Sequence, residues 1–296
     1  MQIQKSFQKH DTGTLYLVPT PIGNLQDMSN RALETLQEVD LIAAEDTRHT
    51  AQLLNYFDID TKQISFHEHN WQTRVPELIQ MLEEGTTIGQ VSDAGLPSIS
   101  DPGQQLVEAA VAAGIPVVPI PGASAGITAL IASGLVPQPF YFHGFLPRKK
   151  SEQIEELEAL RPRQETVIIY EAPHRLKSTL SNLVTVMGPA RPVVLARELT
   201  KRYEEFLRGS AQELADWSRN NEIRGEFVVM IGGATPDEIA EEVAEADEEE
   251  LPVREAVQAL VDQGLKPNPA IKQIAKERGI ARQEVYRIYH QIEEED

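Results

Sequence analysis

Short apolar runs alternate with segments of helical period through much of this chain, and three of the runs end in loops built from Pro, Gly, Ser and Asp. Leu15 to Val18, Leu41 to Ala44, Thr87 to Val91 and Val117 to Ile120 read as buried strands. Between them, Ser29 to Val39 places Ala32, Leu33, Leu36 and Val39 on one helical face. A second helix, Gln104 to Ala113, is ended by Gly114. Strand and helix in alternation specify a parallel α/β sheet. In an open sheet of that kind the loops after the strands gather at the carboxyl edge and line one crevice. The three loops are Pro19-Thr20-Pro21-Ile22-Gly23-Asn24-Leu25, the stretch from Gln90 to Gly103, and Pro121-Gly122-Ala123-Ser124-Ala125-Gly126.

A second α/β unit, smaller than the first, is expected after a Pro- and aromatic-rich crossing from Pro137 to Lys150. Its strands are Thr166 to Tyr170, Val193 to Ala196 and Phe227 to Ile231. Its helices are Leu176 to Met187 and Ala211 to Asn220, with Ser210 as N-cap. The boundaries are then 1–12 for a disordered N-terminus, 13–138 and 139–235 for the two α/β domains, 236–250 for a linker and 251–296 for a helical tail. In the tail, Val253 to Asp262, Pro269 to Gly279 and Arg282 to Gln291 have helix-turn-helix spacing.

Charge sharpens these divisions. Of the net charge of −19, residues 236–250 carry −9 with no base, whereas residues 251–296 hold seven bases against eight acids. The acidic total argues against a general nucleic-acid binder, so any RNA contact must use local basic patches. Residues 109–147 contain no Asp, Glu, Lys or Arg, but Pro116, Pro119, Pro121, Pro137 and Pro139 break the stretch too often for a membrane span. With no cysteine, disulfides, thiolate metal sites and cysteine nucleophiles are excluded. The polar first residues lack the apolar core of a signal peptide, which fits a cytoplasmic protein.

The chemistry is narrowed by what the loops lack. No Gly-rich dinucleotide fingerprint follows the first strand, and no phosphate loop ending in Gly-Lys-Ser/Thr occurs. The prolines of the first loop remove N–H donors and turn carbonyls and apolar surface toward a ligand, which suits an uncharged or cationic molecule better than a phosphate. No third ligand accompanies His67 and His69, two apart and on one face if extended, so no metal site is expected.

Nine motifs in order carry a resemblance. They are Val18-Pro19-Thr20-Pro21-Ile22-Gly23-Asn24-Leu25, Ala44-Glu45-Asp46-Thr47-Arg48, Phe66-His67-Glu68-His69-Asn70, Ser92-Asp93-Ala94-Gly95-Leu96-Pro97, Pro121-Gly122-Ala123-Ser124, Gly144-Phe145-Leu146-Pro147-Arg148-Lys149, Tyr170-Glu171-Ala172-Pro173-His174-Arg175, Arg197-Glu198-Leu199-Thr200-Lys201 and Gly225-Glu226-Phe227-Val228. Over roughly residues 13–233 the chain resembles the ribosomal RNA small subunit methyltransferase I family of the tetrapyrrole methylase superfamily. One departure is Trp71, where the family often has an acidic residue.

The resemblance implies a two-domain tetrapyrrole-methylase-like α/β fold with a cofactor cleft between the domains. It implies a cytoplasmic homodimer that transfers methyl from S-adenosyl-L-methionine to the 2′-hydroxyl of a cytidine in the decoding region of 16S ribosomal RNA, with that RNA or the small subunit as partner. It places the cofactor against Pro21, Ile22, Asp93, Ala94, Gly95, Ile99, Ser124 and Ala125, closed by Ala172, Leu199, Gly225 and Glu226.

A ribose hydroxyl is a poor nucleophile and calls for a base or polarising cation. Asp46 and Lys201 stand first for this, followed by Glu45, His67, Glu171 and Glu198. Arg48, Arg148, Lys149, Lys150, Arg175, Lys177 and Arg202 are candidate RNA contacts, as are Lys272, Lys276, Arg278, Arg282 and Arg287 in the tail. Two rivals remain: the same fold methylating a tetrapyrrole or other small molecule, and a ligand-sensing module whose helices read nucleic acid.

Overall fold

A computed structural model describes residues 1–100, 103–240 and 252–290. The chain packs as two units, 1–233 and 234–296.

The first half of the larger unit is built on β1 (Leu15–Leu17), β2 (Leu41–Ala44), β3 (Gln63–Ser65), β4 (Ile88–Val91) and β5 (Val117–Pro119), in the order β3-β2-β4-β1-β5. Every pairing is parallel. Side chains alternate across the sheet with period two. Ile42 and Ala44 face α1 (Asn30–Glu38) and α2 (Thr47–Tyr56), while Ala43 and Ile88 face α3 (Trp71–Glu83) and α4 (Gln104–Ala112). Ser29 caps α1 by accepting from Ala32 N–H at 3.2 Å. Trp71, the departure from the family pattern, begins α3 and packs against the core beneath it.

The three Pro/Gly loops follow β4, β1 and β5, which are adjacent in the sheet, and so they leave its carboxyl edge side by side. Two are stitched directly, because Thr20 and Gly95 exchange backbone hydrogen bonds of 3.0 Å in both directions. The Thr20 hydroxyl also donates to Ser92 O at 3.0 Å.

The second sheet contains β6 (Phe140–Phe145), β7 (Thr166–Glu171), β8 (Pro192–Arg197), β9 (Glu205–Ser210) and β10 (Phe227–Ile231), in the order β6-β7-β10-β8-β9. It has as many strands as the first, and it is mixed: β6 and β7 are parallel and the other pairs antiparallel. The cause is local. Strands β8 and β9 are joined by residues 198–204 alone, too short for the crossover that parallel neighbours need. The expected crossing from Pro137 to Lys150 contains an edge strand of this sheet, β6.

Helices α6 (Lys150–Leu160), α7 (Pro173–Met187) and α8 (Ala211–Asn220) cover one face of this sheet around Leu157, Leu176, Leu180, Leu183 and Leu214. Each Leu so buried contributes about 1.5–3 kcal/mol. Ser210 and Glu213 complete a capping box at the start of α8. The opposite face is covered from the first half of the chain. Helix α5 (Ala125–Ser133) leaves the loop after β5 and packs Ala129 and Leu130 on Ile168, Val194, Val228 and Met230. This explains why residues 109–147 are free of charge without spanning a membrane. No described helix is long and apolar enough to cross one.

Ahead of β1, in the segment expected to be disordered, the Gln4 amide acts as a strand backbone would. It donates to Val117 O and accepts from Val117 N–H, each at 2.9 Å, along the free edge of β5.

In the smaller unit, α9 (Val253–Asp262), α10 (Pro267–Glu277) and α11 (Arg282–His290) enclose Val257, Ile271, Ile274 and Val285, all buried. The expected acidic linker, 236–250, lies outside the described residues after 240.

Candidate active site

The loops at the carboxyl edge of the first sheet face the ends of β7, β8 and β10 across a cleft of about 520 Å³. That is room for a nucleoside-sized ligand, within the roughly 300–1,000 Å³ common for small-molecule sites. Ile22, Asp93, Ala94, Gly95, Ile99, Ser124 and Ala125 line it from the first half, and Ala172, Leu199 and Glu226 from the second. Of the residues expected at the cofactor, Pro21 and Gly225 stand outside the lining. Gly225 lies beneath the Glu198 side chain, 2.5 Å from its Cγ to an ideal Cβ position.

The lining is apolar in its walls and acidic in its polar groups: Glu45, Asp93, Glu171 and Glu226 supply four carboxylates against the single ammonium of Lys201. Asp93 is oriented by its neighbours. Its carboxylate accepts from Asp46 N–H at 3.2 Å, and its own N–H donates to Glu45 Oε2 at 3.3 Å. A cavity of this sign favours a cation and disfavours phosphate.

The candidates for base or polarising cation separate clearly. The Asp46 carboxylate is the N-cap of α2 and pairs with Arg48 at 3.1 Å, outside the lining. The bond from the Arg48 side chain, with that from its backbone N–H, holds Asp46 at about 2. Glu171 is wholly buried and fully engaged. It accepts from Thr179 Oγ1 at 2.6 Å and Ala172 N–H at 2.9 Å, and meets Arg175 Nε at 3.2 Å. His67 sits in the turn after β3, where its ring accepts from His69 N–H at 3.3 Å and lies outside the lining. That turn removes the extended geometry in which His67 and His69 would share a face, and no metal-holding cluster occurs among the described residues.

Lys201 differs from all of these. Its Nζ lies 3.1 Å from Glu198 Oε1 and 2.9 Å from Glu226 Oε2, and its stem rests against Gly23 of the first loop, so it reaches across the cleft. Glu198, at φ 49°, also accepts from Glu226 N–H at 3.0 Å. Burial alone pushes Lys201 down, but its bonds to Glu226 and Glu198 outweigh burial and raise it, so the ammonium stays charged. Burial likewise pushes Glu198 up, and the Glu226 N–H with the Lys201 ammonium outweighs it, leaving the carboxyl below its ordinary 4.5.

These shifts set a pH dependence. A depressed carboxyl contributes stability that is complete above its unfolded value and is lost as pH falls through the folded one. Lys201, being raised, loses its share only as pH rises through its folded value, above 10.5. The urea-midpoint difference between the native chain and Glu198→Gln is therefore expected to stay constant between about pH 6 and 9 and to shrink below about pH 4.5. A difference unchanged down to about pH 3 would remove this cluster from the acid response.

Of the candidate RNA contacts, Arg48, Arg148, Lys149, Lys150, Lys177 and Arg202 are exposed, with Lys149 3.0 Å from Glu152. Arg175 is not available: besides meeting Glu171, its Nη2 donates to Leu146 O at 2.8 Å and Pro147 O at 2.9 Å. It is a brace for the loop after β6.

The family profile of Tetrapyrrole (Corrin/Porphyrin) Methylases matches residues 14–215. The chain is 53% identical to ribosomal RNA small subunit methyltransferase I of Streptococcus pyogenes serotype M1, over 99% of this chain and all of that one. The protein of the same name from Bacillus subtilis is 51% identical over 97% of this chain and 98% of its own length. The chain belongs to the ribosomal RNA small subunit methyltransferase I family, within the tetrapyrrole methylases. Among solved structures, uroporphyrin-III C-methyltransferase from Thermus thermophilus superposes with a TM-score of 0.53 at 20% identity, covering 79% of this chain and 98% of that one. Cobalt precorrin-4 methyltransferase gives 0.55 at 18%, covering 74% and 94%. At such identities the likeness is one of fold: this member of the methyltransferase I family has the two-domain tetrapyrrole-methylase architecture, with its cleft between the two sheets.

Proposed function

We propose that this methyltransferase uses S-adenosyl-L-methionine to methylate the ribose 2′-hydroxyl of a cytidine in the decoding region of 16S ribosomal RNA, and that it works in the cytoplasm as a homodimer. The observation that carries this reading is full-length identity near one half to relatives named for small-subunit RNA. Methylation of a tetrapyrrole is the weaker reading, since the solved tetrapyrrole enzymes share only about the fold with this chain.

The cleft fits the donor. Sulfonium and ammonium are both cations, and the lining offers an excess of carboxylate with apolar walls from Ile22, Ala125, Leu199 and Val228. When bound, the donor supplies an electrophilic methyl carbon on a positively charged sulfur. Asp93 and Glu226 are placed to hold its ammonium or ribose hydroxyls. As the methyl group passed from sulfur to the ribose oxygen, the hydroxyl proton would be released, and Glu45, which lines the cleft and whose Oε2 accepts from Asp93 N–H at 3.3 Å, would be its acceptor. Lys201 stays charged and stabilises negative charge growing on the attacking oxygen, so alignment and electrostatics supply the rate.

Cationic groups around the cleft and on α10 and α11, where Lys272, Lys276, Arg282 and Arg287 are exposed, offer phosphate contacts. Ile131 and Val136, 77% and 66% exposed at the end of α5 and just beyond it, are the apolar surface best suited to self-association.

Ribose methylation mapped in 16S RNA from cells lacking the protein tests the reading. One cytidine of the decoding region is expected to lose its 2′-O-methyl group, and purified enzyme with labelled donor restores it on 30S particles. Label appearing on uroporphyrinogen and not on RNA would overturn it.

A further inference from the structure

We infer that Phe145 is a stacking platform for an unpaired RNA base, which holds the target nucleotide at the mouth of the cleft. The inference rests on the RNA reading above and adds to it the residue that grips the substrate.

Phe145 ends β6, lines the cleft and is 56% exposed. An aromatic ring left in water at the rim of a site calls for an explanation, because burying it would be worth as much as burying a core residue. The local backbone brings it there. Between Phe142 and Gly144 the register of β6 on β7 shifts, leaving His143 as the extra residue of a bulge, and Gly144 follows at φ 82°. Bulges near sites re-aim the side chains beyond them. Here the re-aimed residue is Phe145, opposite Tyr170.

The ring is held as a rigid surface. It packs edge-on to Tyr170 with centroids 5.6 Å apart, and Tyr170 in turn packs on Phe142 at 5.2 Å. The Tyr170 hydroxyl accepts from Gly126 N–H at 3.1 Å, tying this aromatic group to the start of α5. On the other side, the Arg175 guanidinium holds the carbonyls of Leu146 and Pro147, and Arg175 is itself held by buried Glu171. The buried Glu171 and Arg175 thus have a purpose beyond stability: they fix the residue next to the platform.

Charge identifies the occupant. Beyond Leu146 and Pro147, Arg148 and Lys149 stand in the same loop and Lys150 opens α6, all three exposed, with Lys149 3.0 Å from Glu152. A flat aromatic beside consecutive cations is the pairing that single-stranded nucleic acid uses, bases on rings and phosphates on cations. A base must also leave its helix for its ribose to enter a cleft between two domains. A tetrapyrrole, rimmed by carboxylates, would meet the cations but needs no isolated ring at this spacing.

The experiment measures methyl transfer to 30S particles for Phe145→Ala, Phe145→Leu and Phe145→Tyr, with donor affinity by calorimetry and melting temperature for each. Stacking losses predict that Ala and Leu lower kcat/KM for RNA by about ten- to hundredfold, mostly through KM, while Tyr retains activity. Donor affinity and melting temperature stay at native values. Equal kcat/KM for Phe145→Ala and the native enzyme overturns the inference, and so does full retention by Leu, since bulk alone would then suffice. Weakened donor binding in Phe145→Ala also overturns it, by assigning the ring to the cofactor. Failure of the native enzyme to label RNA sinks the functional reading instead, and the two results are distinguishable in one assay.

Discussion

Gly103→Ala is expected to lower the melting temperature by about 5–15 °C and weaken donor binding at least tenfold. The reason lies beneath the loop after β4. Gly103 has φ 147°, a conformation that L side chains rarely adopt, and a Cβ there would overlap Gln90 Nε2 and Ser98 Oγ. Those two groups are bonded to each other at 3.0 Å, with Gln90 fully buried in β4 and Ser98 itself at φ 68°. The substitution adds backbone strain of about 1–3 kcal/mol and displaces a buried amide worth about 1–3 kcal/mol. Ala94, Gly95 and Ile99 line the cleft from the same loop, so a shift at its base reaches the donor site. Gly114→Ala is the control, since it is also at positive φ but has open space around it. If both variants melt alike, within about 2 °C of the native chain, the collision with Gln90 is not what matters.

The sequence made the loop visible but not its foundation. Strands β2 and β10 were legible because their apolar runs are continuous, and the loops after β1, β4 and β5 because Pro and Gly have positional meaning. Gln90 in a buried strand carries no such signal, since its role depends on Ser98 and Gly103 turning back over it. Edge strands were harder. Strand β9 mixes Glu205, Arg208 and Ser210 with Phe206 and Leu207, and β6 follows two prolines, so neither has the buried-strand pattern. Helix α5 is built mostly of Ala, Gly, Ile and Leu, and its residues indicate burial without saying that the second sheet supplies the partner.

The same limit applies to the site. Asp46 and Lys201 are one charged residue each in a motif, and only three dimensions separate them: one caps a helix against Arg48, the other spans the cleft to Gly23. Gly225 was visible in its motif, but its place under the Glu198 side chain was not. Burial of Arg175 was equally hidden, because its partners Glu171, Leu146 and Pro147 come together only when β6 pairs with β7.

Lys201→Met should therefore reduce methyl transfer about 10²- to 10³-fold, the usual cost of removing one preorganised charge from a transfer site. Methionine keeps the unbranched stem against Gly23 while removing the ammonium, so donor affinity should stay within about threefold of the native value. Without that ammonium, Glu198 and Glu226 face each other as uncompensated carboxylates, and the cleft becomes more negative where the oxygen nucleophile must develop charge. Lys201→Arg retains a cation and should recover part of the rate. The alternative role, general base, makes a different prediction from the same residue. A lysine raised above 10.5 would give a native rate that climbs tenfold per pH unit through neutrality, whereas a fixed cation gives no such slope. Asp46→Asn is the matching contrast: the amide oxygen still caps α2, the Arg48 pair is exposed, and transfer should remain within about threefold of native. A Lys201→Met enzyme with a near-native rate, or an Asp46→Asn enzyme without one, would reverse the assignment of the two residues.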